Sequence, residues 1–194
     1  VAEVSGSDPG IAFELTGDFA TGDDYWPQVA QSAHWLIEID ASSRDRPILV
    51  SILPTKHGQA EFPDARAARF ELPHPAPDQG PFFQSRVVIR EGGAGNRALK
   101  QWLGRSFGIR VYTEGFRVLP YGEPKNDWLS LDADYKTRPR GLSFLTDQGF
   151  AESEDKDEGL MFLGNRAYFG AVFLTTAGAP SLRMLINREG FVAD

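Results

Sequence analysis

The chain has 194 residues, 41% hydrophobic and 24% charged, with a formal net charge of −7 and a pI near 5.0. That composition belongs to a folded domain long enough to bury a core, and its acidity argues against a general binder of nucleic acid or of acidic membranes. The lack of cysteine excludes disulfides and thiolate metal sites, three histidines argue against a histidine-built zinc site, and no apolar run is long enough to span a membrane.

In chain order, residues 1–10 are small, polar and turn-rich and read as a frayed lead-in. Val1 in place of a starting Met reads as the mark of an excised or processed fragment. Residues 11–19 alternate, with Phe13 and Leu15 on one face, and predict a strand. Residues 21–24 read as a loop, and the aromatic pair Tyr25 and Trp26 is broken by Pro27. Residues 34–40 predict a strand with Trp35, Ile37 and Ile39 on a shared face. A polar turn over 42–46 and an apolar, β-branched run over 47–53 close it into a hairpin. A loop is expected over 54–66, alone or with a short helix near Asp64, and then a strand over 67–72. Pro73, Pro75 and Pro77 alternate and favour an extended segment. They divide a strand-rich N-terminal part, 1–77, from the remainder, 78–194.

Residues 82–91 read as a strand covered on both faces, centred on Val87, Val88 and Ile89. Gly92, Gly93, Ala94 and Gly95 make a turn, and Asn96 can cap a helix over 97–106 whose Leu99, Trp102 and Leu103 share a stripe. Gly108 ends that helix. A hairpin follows, in which Ile109, Val111, Phe116 and Val118 alternate with Arg110, Tyr112 and Arg117 around a reversal at Thr113, Glu114 and Gly115. The succession strand, glycine turn, helix, strand predicts a β-α-β crossover, the usual way to make two strands parallel. Pro120 ends the second hairpin strand, residues 121–124 form a turn, and Asp127 and Trp128 read as a loop-fixing acceptor and a core anchor. Residues 132–140 fit a short helix or a loop, and the charge run 152–158 fits a solvated loop without calcium-loop spacing. A strand over 168–176, a turn over 176–180 and the apolar Leu182, Leu185 and Ile186 complete the chain.

The organising stretch is 107–131. Its Gly108-Ile109-Arg110-Val111-Tyr112, then Gly115-Phe116-Arg117-Val118-Leu119-Pro120-Tyr121-Gly122, then Asp127-Trp128-Leu129 resembles a signature of the GHKL ATPases (gyrase, heat-shock chaperone, histidine kinase, MutL). In them it belongs to the transducer or middle domain, and the likeness is greatest to bacterial chaperone-like and MORC-like members. Further on, Ile186-Asn187-Arg188-Glu189-Gly190 resembles the stretch from which a middle-domain arginine reaches the ATP γ-phosphate; the matching residue is Arg188. An arginine suits that contact because its planar, permanently charged fork holds phosphate oxygens bidentately. The plain alternative is a surface arginine beside Glu189. Lys125 is a second candidate, since transducer lysines touch a phosphate in some relatives, although its local motif differs from theirs.

The resemblance covers roughly residues 82–191 and implies a ribosomal-protein-like transducer fold. It implies coupling of ATP binding and hydrolysis in an adjacent N-terminal ATPase domain to movement elsewhere. That domain would hold the ATP and magnesium. The catalytic Glu with a nearby Asn, and the Asp-x-Gly-x-Gly stretch, have no counterpart in this chain, so the chain alone is expected to be inactive. A homodimer of the full-length protein, a client protein and a cytoplasmic location are further implications. The reading is thus an α+β fold: a mixed sheet with a β-α-β core and a strand-rich N-terminal part. The alternative is a β-rich module that binds a protein or peptide without nucleotide linkage, and a hydrolase is a third option. The glycine turn before Arg97 lacks P-loop or dinucleotide spacing and reads as a turn with a cap. His34, His57 and His74 show no partnered pattern.

Overall fold

The structure is a computed structural model that describes residues 25–90, 92, 97–136, 163–185 and 189–193. The strand predicted over 11–19, the cap at Asn96, the charge run 152–158 and Arg188 lie outside the described residues.

Seven strands form one mixed sheet in the order β3-β2-β1-β4-β7-β5-β6, and β8 and β9 form a separate pair. They are β1 (Trp35–Ala41), β2 (Ile48–Pro54), β3 (Ala68–Leu72), β4 (Phe83–Ile89), β5 (Gly108–Thr113), β6 (Phe116–Val118), β7 (Tyr168–Leu174), β8 (Leu182–Met184) and β9 (Phe191–Ala193). The helices are α1 (Trp26–Gln31), α2 (Lys56–Glu61), α3 (Arg97–Ser106) and α4 (Leu131–Lys136). The fold is therefore α+β. The sheet is continuous across the proline segment, because β1 pairs with β4 along its whole length, from Trp35 opposite Ile89 to Ala41 opposite Phe83.

The order β4, α3, β5 is as the sequence predicts, but the crossover is not. β4 runs antiparallel to β7, with Ile89 opposite Tyr168. β7 runs parallel to β5, with Phe169 opposite Gly108. β4 and β5 are thus antiparallel to each other, with β7 between them. α3 leaves and re-enters the sheet at the same end instead of carrying the chain back along its length. Among the described strands, the one parallel pair in the sheet, β5 with β7, joins strands separated by the whole stretch from 114 to 167. Local pattern cannot report a partner so distant in sequence.

α1 and α3 cover one face. Val29 and Ala33 meet Leu36 of β1, Val88 of β4, Phe169 of β7, and Leu99 and Phe107 from α3 and its end. Tyr25, Trp26, Trp102 and Leu103 pack around this cluster. The helix at Trp26 overturns the break expected at Pro27, because proline stands in the first turn, where its missing N–H has no intrahelical partner to lose. α2 begins at Lys56, ahead of the helix expected near Asp64, because the Thr55 side chain accepts a hydrogen bond from Gly58 N–H and caps it.

The β5–β6 hairpin turns at Glu114 and Gly115, both with positive φ (51° and 79°), the geometry whose twist suits a two-residue reversal. Val118 is fully buried, whereas Phe116, on the same strand, is 51% exposed. The alternation therefore holds only at the inner end of this edge strand.

Candidate functional site

The sheet face opposite α1 and α3 is apolar and only partly covered. It forms a trough with a cavity volume of ≈ 620 Å³, floored by Ile37 and Ile39 of β1, Val87 of β4, Val172 of β7 and Val111 of β5. Tyr121, Trp128, Leu182 and Phe191 rise along its border. Among the described residues, no Asp, Glu, Lys, Arg or His lines it. Such a lining suits apolar groups.

The border is built by the organising stretch. After β6 the chain turns, with Glu123 N–H donating to the Pro120 carbonyl at 3.0 Å. Gly122 lies so close to β5 that a Cβ would sit 2.6 Å from the Ile109 carbonyl oxygen, so only glycine lets the loop press against that strand. Trp128 Nε1 donates to the same Ile109 oxygen at 2.8 Å. Its ring meets Tyr121 edge-on at 5.4 Å, and Tyr121 in turn contacts Phe191 at 5.7 Å. Trp128 is 36% exposed, so it anchors the loop from the surface and not, as expected, from the core. Asp127 fixes the loop as expected: its two carboxylate oxygens accept from Leu131 N–H at 2.9 Å and Asp132 N–H at 2.8 Å, capping α4.

Beyond β6, the isolated parallel bridge between Leu119 and Glu189 joins the Arg-Val-Leu-Pro stretch to the Asn-Arg-Glu-Gly stretch. Lys125 lies exposed in the loop that follows Leu119. Arg117 Nη2 donates to Glu123 at 2.6 Å, and Arg110 Nη2 donates to the Ser106 carbonyl at 3.1 Å. Burial, and then the neighbouring Arg117 charge, lower the pKa of the Arg110 guanidinium from its ordinary value.

A second, more polar recess lies where α3, α4 and the start of β7 meet, lined by Arg90, Asp132, Tyr135, Gly164 and Arg166. Its arginines are engaged in packing. Buried Arg90 donates to Ser32 Oγ and to the Gly92 carbonyl, both at 2.8 Å. Arg166 lies 5.6 Å from the centre of the Phe107 ring.

The histidines divide unexpectedly. His74 is structural: its Nδ1 accepts from Ala76 N–H at 3.1 Å, and its ring lies against Phe82 at 5.1 Å. His34 and His57 come together with Glu61, although the sequence showed no pattern linking them. The available signal was the four-residue spacing of His57 and Glu61, which places them on one helical face once α2 is put at 56–61.

The chain matches no protein-family model, no curated protein and no solved structure.

Proposed function

We propose that this chain is a transducer domain of a GHKL-type ATPase, coupling nucleotide turnover in an adjacent domain to movement elsewhere. The observation that supports this reading best is the Leu119–Glu189 bridge. It joins the two stretches that carry the resemblance, which the sequence separates by some seventy residues. Glu189 directly follows Arg188, and Leu119 leads into the loop bearing Lys125. Both cationic candidates therefore belong, in sequence, to the stretches that carry the resemblance. On this reading the ligand of Arg188 and Lys125 is a polyphosphate held by a neighbouring domain. ATP and magnesium would be bound by that neighbour, and the chain alone would not turn over ATP.

The test is steady-state turnover by a protein that contains both domains. Arg188→Ala should lower kcat more than it weakens ATP binding, if the arginine meets the γ-phosphate mainly in the reactive state. Arginine fingers supply on the order of 10³–10⁵ in rate elsewhere, which sets the upper end of the expected loss. Arg188→Lys should rescue only in part, since a point charge does not reproduce the fork. An unchanged kcat in a well-folded Arg188→Ala protein would sink the proposal.

The apolar trough favours a second reading, a β-rich module that binds a protein or peptide without nucleotide linkage. Val172→Asp on its floor separates the two. It should abolish binding by such a module, while Arg188→Ala should leave that binding intact.

A further inference from the structure

We propose that His34, His57 and Glu61 form a zinc site. One ligand atom from each lies within 4.8 Å of the other two. The geometry converges on Glu61 Oε2, which is 2.7 Å from His34 Nε2 and 3.5 Å from His57 Nε2. Zinc takes imidazole nitrogen and carboxylate oxygen at about 2.0–2.2 Å in a tetrahedral array, which sets neighbouring ligand atoms about 3.3 Å apart by the same geometry. The two observed separations bracket that value. Closing the site needs the His34–Glu61 pair to open by about half an ångström, the His57–Glu61 pair to tighten slightly, and the two imidazole nitrogens, which lie within 4.8 Å of each other, to come to the same spacing.

A shared proton is the plain alternative. It joins His34 to Glu61 but leaves His57 Nε2 beyond a good hydrogen bond to the same oxygen. The two imidazole rings also approach to 4.8 Å, tilted by 47°. A divalent ion held between the three groups would satisfy all of them together and would offset the carboxylate charge.

The backbone holds this arrangement rigidly. Gly58 lies between the two helical ligands and allows α2 to rest on residue 34; a Cβ there would sit 2.0 Å from the His34 carbonyl oxygen. Thr55 N–H donates to that carbonyl at 3.0 Å, and the Thr55 hydroxyl donates to the Ala33 carbonyl. His34 N–H donates to the Ile89 carbonyl at 2.8 Å, fixing the residue to β4. The His34 side chain is 6% exposed, whereas those of His57 and Glu61 are 44% and 53% exposed. The ion would enter from solvent, with one position left to water, as in open three-ligand zinc sites. Imidazole and carboxylate together suit zinc better than magnesium or calcium, which prefer all-oxygen shells. The site is independent of the nucleotide reading.

The experiment is calorimetric titration of tag-free, chelator-stripped protein with zinc chloride, with thermal melts alongside. One equivalent should bind, and the melting temperature should rise with zinc and saturate. Replacing either exposed ligand, His57→Ala or Glu61→Gln, should weaken binding at least about tenfold, since even outer-shell changes cost 10–100-fold. His74→Ala should bind like the parent. Cobalt(II) should give the visible bands of a four-coordinate ion in the parent and lose them in His57→Ala. No binding by the parent, or parent-like affinity in folded His57→Ala and Glu61→Gln, would overturn the proposal.

Discussion

Gly58→Ala tests how closely α2 is seated on β1. In most helices this change stabilises, because alanine gains about 0.5–1 kcal/mol of helix propensity over glycine. Here the added Cβ would lie 2.0 Å from the His34 oxygen and 2.8 Å from its carbonyl carbon, both backbone atoms that cannot rotate away. Relief requires α2 to withdraw by about 1.4 Å, the shortfall from ordinary van der Waals contact. That stretches the bond from Thr55 N–H to His34 O, now 3.0 Å. Weakening that bond costs about 0.5–1.5 kcal/mol, and overpacking costs about 1–3 kcal/mol. After the propensity gain is offset, the net loss is about 2 kcal/mol. For a domain of this size that lowers Tm by roughly 4–8 °C. Urea unfolding and thermal melts read both quantities. Gly104→Ala in α3 is the control: nothing lies within 4 Å of its Cβ position. It should stabilise by about 0.5–1 kcal/mol. A Gly58→Ala protein as stable as the parent would refute the close seating.

Leu99→Ala should cost about 2–5 kcal/mol by urea unfolding, the range for a buried leucine, because Leu99 is 5% exposed within the main cluster. Trp102 packs against that cluster but is only part-buried, so Trp102→Ala should fall below the 3–5 kcal/mol of a fully buried ring, at about 2 kcal/mol; a loss under about 0.5 kcal/mol would mean the helix presents another face. The Asp40 carboxylate accepts from the Ser42 hydroxyl and backbone N–H, and those bonds hold its pKa below the ordinary aspartate value. A lowered folded-state pKa means a contribution present above the ordinary aspartate range and lost as pH falls through the folded value. The stability gap between the parent and Asp40→Asn should therefore be flat around neutrality and close in strong acid.

Much of the sheet was legible because its strands carry their own pattern. β1, β2, β4 and β7 are apolar, β-branched or aromatic, and α3 shows a clear stripe. The short helices were harder. α1 and α2 have six residues each, too few for periodicity to show, and tertiary contacts decide them: Val29 reaches the core, and Thr55 and Gly58 dock on residues 33 and 34. The direction of β5 relative to β4 was illegible for another reason. It is set by β7, some sixty residues further on. The His34, His57 and Glu61 cluster has the same origin, since the β1–β2 hairpin closes before α2 can fold back. Trp128 shows the converse error. An aromatic in a loop invites burial, but its indole N–H reaches the Ile109 carbonyl while the ring stays partly exposed.

The position of β7 also governs how the chain can assemble as it is made. β1 to β4 can pair among themselves, and β5 with β6 closes across a two-residue turn, but among the described residues no strand pairing joins the two groups until residues 168–174 exist. At about 5–20 residues per second, a ribosome takes several seconds to travel from Thr113 to Leu174. For that interval the inner sides of β4 and β5 are rows of unpaired N–H and C=O groups, the kind of surface that recruits other strands. The vulnerable moment of synthesis is thus the middle, not the end. A chain stopped short of Tyr168 would keep both rows open for as long as it survived.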